Sequence, residues 1–166
     1  MKELPAQSLN PKIKTVWRIN DALWLTVIFL CVALTPFIFM LDDSDPELQA
    51  VGSIICLVLV VVYVAMLILF LVILPPIRYA RWRFDLNQDY LDIARGIIWR
   101  KRFIIPFIRV QNTDTRQGPI LRMFGLASVT VSTAAGAHEI PGLDEVTAET
   151  LRDRAAEFAR LAREDV

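Results

Sequence analysis

Residues 22–41 read ALWLTVIFLCVALTPFIFML and residues 48–77 read LQAVGSIICLVLVVVYVAMLILFLVILPPI, and neither run contains Asp, Glu, Lys, Arg or His. At about 1.5 Å of rise per residue, roughly 20 helical residues cross a hydrocarbon core of about 30 Å, so each run is long enough to span. The sequence predicts spans over about 22–41 and 48–74, joined by an external loop at 42–47. Six extended residues reach only about 20 Å and cannot recross a bilayer. The two helices must then form an antiparallel hairpin with both chain ends on one side.

Charge decides which side. Lys2, Lys12, Lys14 and Arg18 precede the first run, and Arg78, Arg81 and Arg83 follow the second. The loop holds Asp42, Asp43, Asp45 and Glu47 and no basic residue. The positive-inside rule therefore predicts a multi-pass protein of the plasma membrane with both termini cytoplasmic. A cleaved secretory signal is the rival for the first run, but that run is long for a signal core, and Asp42-Asp43-Ser44-Asp45 follows it instead of a small-residue cleavage site. Pro36 is expected to bend the first helix without ending it.

Transport through this hairpin alone is disfavoured, because ion and proton pathways in membranes use ionisable residues that both runs lack. Thr26, Thr35, Ser53 and Tyr63 are the polar handles, and Ala50, Gly52 and Ser53 form a small-residue patch suited to close helix contact. Cys31 and Cys56 have no metal-ligand spacing and read as small apolar residues in a helix interface.

Residues 1–21 read as a cytoplasmic N-terminal segment, 22–77 as the hairpin and 78–166 as a separate cytoplasmic domain. After Pro75-Pro76 the apolar residues shorten into runs of strand length. Residues 79–86 alternate as a half-buried strand, 87–89 supply a turn, and 90–94 start the return strand. Arg95-Gly96 reads as a tight turn into a third strand over 97–105. A strand over 108–116, a helical turn over 120–125, a strand over 126–133 and a short strand over 137–140 follow. From about Val146 to Arg163, Leu151, Ala155, Phe158 and Ala162 recur at helical spacing. The fold class is α+β: a transmembrane hairpin, then a small antiparallel β-roll or barrel capped by a C-terminal helix.

The stretch IPFIRVQNTDTRQGP at 105–119, together with FGLASVTVSTAAG at 124–136, closely resembles the bacterial pleckstrin-homology-like, YdbS-like family of membrane-flanked domain proteins. The paired N-terminal spans and the segment DEVTAE at 144–149 fit that family too. The resemblance implies a PH-like domain of two antiparallel sheets closed by the C-terminal helix. It implies no catalytic residues. It also implies partnership with another membrane protein, such as a larger relative carrying several PH-like domains; a homo-oligomer is the other assembly considered.

Between Arg78 and Arg122 there are ten Lys or Arg against four acidic residues, whereas Glu139 to Val166 has four against eight. A basic half tethered behind a span can face an anionic inner leaflet, and Arg81, Arg83, Arg100, Lys101 and Arg102 are the candidate lipid- or partner-facing residues. Asn112, Asp114 and Arg116 share one face of an unusually polar strand, where an Asp/Arg pair would fix the strand or serve a partner. Trp82, Trp99 and Phe103 read as core or interfacial anchors, and nucleic acid is not expected as a partner. No metal or cofactor is expected. His138-Glu139 lacks the second ligand of a metalloprotease helix, no nucleophile sits in a recognisable motif, and an enzyme is not expected. The functional expectation is a membrane-anchored binding or adaptor module in a membrane complex. The alternatives are an accessory subunit for export of, or resistance to, membrane-active compounds, and a binder of anionic head groups.

Overall fold

The computed structural model describes residues 5–41, 45–87 and 89–164. Residues 42–44 of the predicted loop and Gln88 of the predicted turn lie outside the described residues. The chain divides into two compact units, 17–75 and a second made of the N-terminal residues to 16 with 76–166.

The first unit is the helical hairpin. Helix α1 spans Ile13–Met40 and α2 spans Pro46–Ile68. Asp45 caps α2, its carboxylate accepting from the backbone N–H of Glu47 (3.0 Å) and Leu48 (3.3 Å), with Pro46 in the first turn where a missing N–H costs nothing. The helices run antiparallel: Thr26 Oγ1 meets the Tyr63 hydroxyl at 2.8 Å near one end, while Gly52 lies against Pro36 and Met40 near the other. A Cβ on Gly52 would come within 2.8 Å of the Met40 nitrogen and 2.9 Å of the Pro36 carbonyl oxygen, so the backbones touch only because no side chain intervenes. Phe29 stacks on Tyr63 at 4.4 Å between ring centroids. Cys31 and Cys56 are free thiols.

Helix α2 passes through a π-helical turn, Leu69–Ile73, into α3, Leu74–Arg81. The widened turn directly precedes Pro75-Pro76, whose missing N–H groups cannot serve the regular ladder. The expected strand over 79–86 is therefore overturned in its first half. Tyr79, Ala80 and Arg81 remain helical, and only β1, Arg83–Leu86, is extended. Their alternating polarity was a short coincidence on a helix already propagating from the membrane side.

The second unit contains two antiparallel three-stranded sheets in the order β1-β2-β3 and β4-β5-β6, a PH-like arrangement. Strands β2 (Tyr90–Arg95) and β3 (Lys101–Pro106) complete the first sheet. The third strand starts four residues later than its sequence pattern indicated, because Gly96 at φ 120° turns the chain so sharply that a Cβ there would lie 1.9 Å from the Trp99 carbonyl oxygen. A 3₁₀ turn, Phe107–Arg109, leads into β4, Val110–Arg116. After the short helix α4, Pro119–Met123, β5 runs over Leu126–Thr133 and β6 over Gly136–Asp144. Strand β6 continues through Pro141-Gly142 instead of ending there. It is an edge strand, and a one-residue register shift between Ala127 and Val129 of β5 sets Pro141 and Gly142 against Ser128.

Helix α5, Glu145–Glu164, lays Ala148, Leu151, Ala155 and Ala159 into the core, and Phe158 meets Phe107 at 5.3 Å. Phe84, Leu91, Ile93, Leu126, Val129, Val131 and Ile140 fill the space between sheets and helix. The N-terminal segment joins this core. Gln7 bridges to Phe84 of β1, Leu9 and Ile13 are each 1% exposed, and the Tyr79 hydroxyl donates to the Leu9 carbonyl at 3.1 Å. Asn10 ties the arm to β6 through its backbone N–H to Gly142 (3.0 Å) and its side-chain amide to Asp144 (2.7 Å), while its own Oδ1 receives the Lys12 N–H.

Candidate anion-binding site

The basic residues of the first sheet collect at one of its ends. Arg81 closes α3, Arg83 opens β1, Arg95 ends β2, and Arg100, Lys101 and Arg102 lead into β3. The strand register explains the convergence: Arg83 lies opposite Ala94, Ala94 opposite Arg102, and Arg95 opposite Lys101. These six cationic side chains, with the small residues Ala80, Ala94 and Gly96, line a basin of about 240 Å³. All five basic residues singled out from the sequence lie in it. Arg95, the sixth, was missed because it read only as a turn residue, although hairpin pairing puts it across from Lys101.

Three of the cations are held by the fold, Arg83 among them through its Nη1, which donates to the Trp82 carbonyl at 3.1 Å. Arg102 makes a bidentate pair with Asp92, its Nε donating to both carboxylate oxygens at 3.0 and 3.1 Å. Asp92 is 3% exposed and sits directly opposite Asp85, so the pair also offsets two carboxylates facing each other across strands. The Asp92 hydrogen bond raises the Arg102 pKa further above its already high value. Arg95 stacks its guanidinium over Phe103 at 5.2 Å and Trp82 at 6.0 Å. Arg81, Arg100 and Lys101 are exposed, and among the described residues no carboxylate pairs with them. Cations that no carboxylate pairs among the described residues, here Arg81, Arg100 and Lys101, favour an anion that enters from outside.

A wider groove of about 770 Å³ runs between β3, the 107–109 turn and the β5–β6 turn. Its cations are Arg102, already paired with Asp92, and Arg109, so charge selects the smaller basin.

Residues 22–159 match the family model described as "Bacterial PH domain", which takes in the hairpin and nearly all of the β unit. The chain belongs to this family. This bacterial PH domain protein is also similar to the UPF0699 transmembrane protein YdbS of Bacillus subtilis (strain 168), with 34% identity over 173 aligned residues covering 100% of each chain. No solved structure matches. The chain is thus a membrane protein whose two apolar helices precede a PH-like module.

The bacterial PH domain chain uses its polar strand differently from the sequence expectation. The partner of Asp114 is Asn112, whose amide donates to it at 2.8 Å, and Arg116 is exposed without a carboxylate partner among the described residues. Alternation places the three side chains on one face, but the adjacent Asn112 satisfies the carboxylate first. His138 packs against Phe103 at 4.7 Å and its Nδ1 is buried without a hydrogen-bond partner. Burial, with Arg95 as the lesser cause, lowers its pKa. Among the described residues no group of three or more His, Cys, Asp or Glu is arranged to hold a metal ion.

Proposed function

We propose that this protein is a non-catalytic, cytoplasm-facing binding module, held at the inner leaflet by its helical hairpin, whose basic basin receives anionic lipid head groups. The observation that carries this reading is the convergence of six cations at one end of one sheet, three of them without a carboxylate partner among the described residues. The tether supports lipid as the source of the anion. Arg81 follows Ile77, the last residue of the apolar run, by four residues, about 6 Å of helix. Each basic residue near an anionic leaflet contributes about 1 kcal/mol to attraction. The basic flanks of both spans support the cytoplasmic orientation.

Thermal stability of the full chain in mild neutral detergent, titrated with dioctanoyl phosphatidylglycerol, dioctanoyl phosphatidylcholine or inorganic phosphate, tests the reading. A ligand bound only by the folded state raises the melting temperature. The expected result is stabilisation by phosphatidylglycerol alone, lost in Arg100→Gln/Lys101→Gln and as ionic strength approaches about 1 M, where the Debye length is about 3 Å. Equal stabilisation by phosphatidylcholine refutes the charge argument. An equal effect of inorganic phosphate makes the basin a general phosphate site instead.

A further inference from the structure

The loop at 96–100 joins β2 to β3 and carries two large apolar side chains at its tip, Ile98 at 85% and Trp99 at 80% exposure. Both residues that bound it, Gly96 and Arg100, line the basic basin. The tip therefore rises from the rim of a cationic surface. Gly96 makes the projection possible, since any Cβ there would collide with the Trp99 carbonyl oxygen. An isolated exposed apolar residue needs no explanation. A tryptophan beside an isoleucine, followed directly by Arg100 and Lys101, matches the chemistry of a bilayer interface. There, indole rings sit at head-group level and basic residues meet phosphates.

We infer that the loop at 96–100 is a membrane-inserting tip: Ile98 and Trp99 enter the interfacial layer of an anionic bilayer while Arg100 and Lys101 hold the phosphates above them. This rests on the anionic-lipid reading of the basin and adds an apolar component to it. Charge complementarity selects a lipid surface over an apolar protein groove, because the cations flanking the tip demand an anion beside the apolar contact. Ala80 and Arg81, at the end of the helix that follows the second apolar run, line the same basin.

The test uses the full chain in nanodiscs with a nitroxide at Ile98→Cys, in a Cys31→Ala/Cys56→Ala background. In discs rich in phosphatidylglycerol the probe is expected to be accessible to oxygen and shielded from a water-soluble nickel chelate, at a depth of about 5 Å. In pure phosphatidylcholine discs, and in Arg100→Gln/Lys101→Gln, it is expected to return to water. A probe that stays chelate-accessible in anionic discs overturns the inference, and so does one shielded equally in both lipids. The two readings fail separately. Phosphatidylglycerol stabilisation of the detergent-solubilised chain with a water-exposed probe sinks the tip and leaves the basin. Because both tip side chains are exposed, Ile98→Ala/Trp99→Ala in a Trp24→Phe background keeps the fold and the phosphatidylglycerol stabilisation while losing the quenching by brominated lipid that Trp99 gives in that background.

Discussion

Ile13→Ala is expected to loosen the PH-like unit although residue 13 is the first residue of the first apolar helix. Ile13 is 1% exposed, and its Cγ1 and Cδ1 lie where a Cβ on Gly142 would stand, at 2.5 Å, so side chain and glycine fit as knob and hole. The substitution removes three carbons, about 2.4 kcal/mol at about 0.8 kcal/mol each. The cavity left against β6 brings the loss to about 3 kcal/mol, within the usual range for aliphatic truncations. Alanine is the best helix former, so the start of α1 is not penalised. At about 1.4 kcal/mol per tenfold, amide exchange in β1 and β6 should accelerate about 100-fold when it reports opening of this unit. The assay is hydrogen exchange of the full chain in nanodiscs, read on peptides covering residues 83–86 and 136–144. Unchanged protection of both strands would refute the claim that the N-terminal arm is part of the β unit's core.

Two further perturbations follow from the geometry. Gly52→Ala places a methyl about 3 Å from the backbone of Pro36 and Met40, and should cost the hairpin about 1–3 kcal/mol in an SDS unfolding titration; an unshifted midpoint contradicts the close approach. His138, with its pKa lowered by burial and by Arg95, takes up protons more readily when unfolded. Stability should therefore fall as pH drops from about 6.5 toward the lower folded-state value, and hold above that window. His138→Phe keeps the ring against Phe103 and should flatten the slope; an identical pH profile in both chains assigns it elsewhere.

The two apolar helices were legible because length and lack of charge mark them, and the strand β5 because β-branched residues recur there with period two. The α5 face was legible at Leu151 and Ala155, which are buried as the spacing indicated, while the Ala162 side chain lies outside those described. Local pattern failed where a neighbour set the conformation. Residues 79–81 stay helical because α3 is already formed ahead of them, and residues 97–100 leave the sheet because Gly96 redirects the chain. The arm at 5–16 carries one readable signal, Asn10-Pro11, a turn in which the Asn10 side chain accepts from the Lys12 N–H, but its docking depends on Gly142 more than a hundred residues away. The basic cluster was visible as composition; that Arg81, Arg83, Arg95 and Arg100 to Arg102 share one basin is a consequence of strand register.

Engagement of anionic lipid by the basin, in the membrane that holds the protein, is measured by gently purifying the full chain from its own membrane and quantifying co-purified lipid and protein by mass spectrometry, for the wild type and for Arg81→Gln/Arg100→Gln/Lys101→Gln. Anionic phospholipid is expected to be enriched over bulk membrane composition in the wild type and to return to bulk composition in the triple variant. Equal lipid profiles for the two chains, with a stoichiometric protein partner lost only from the variant, would contradict that engagement and make the basin a protein-docking surface.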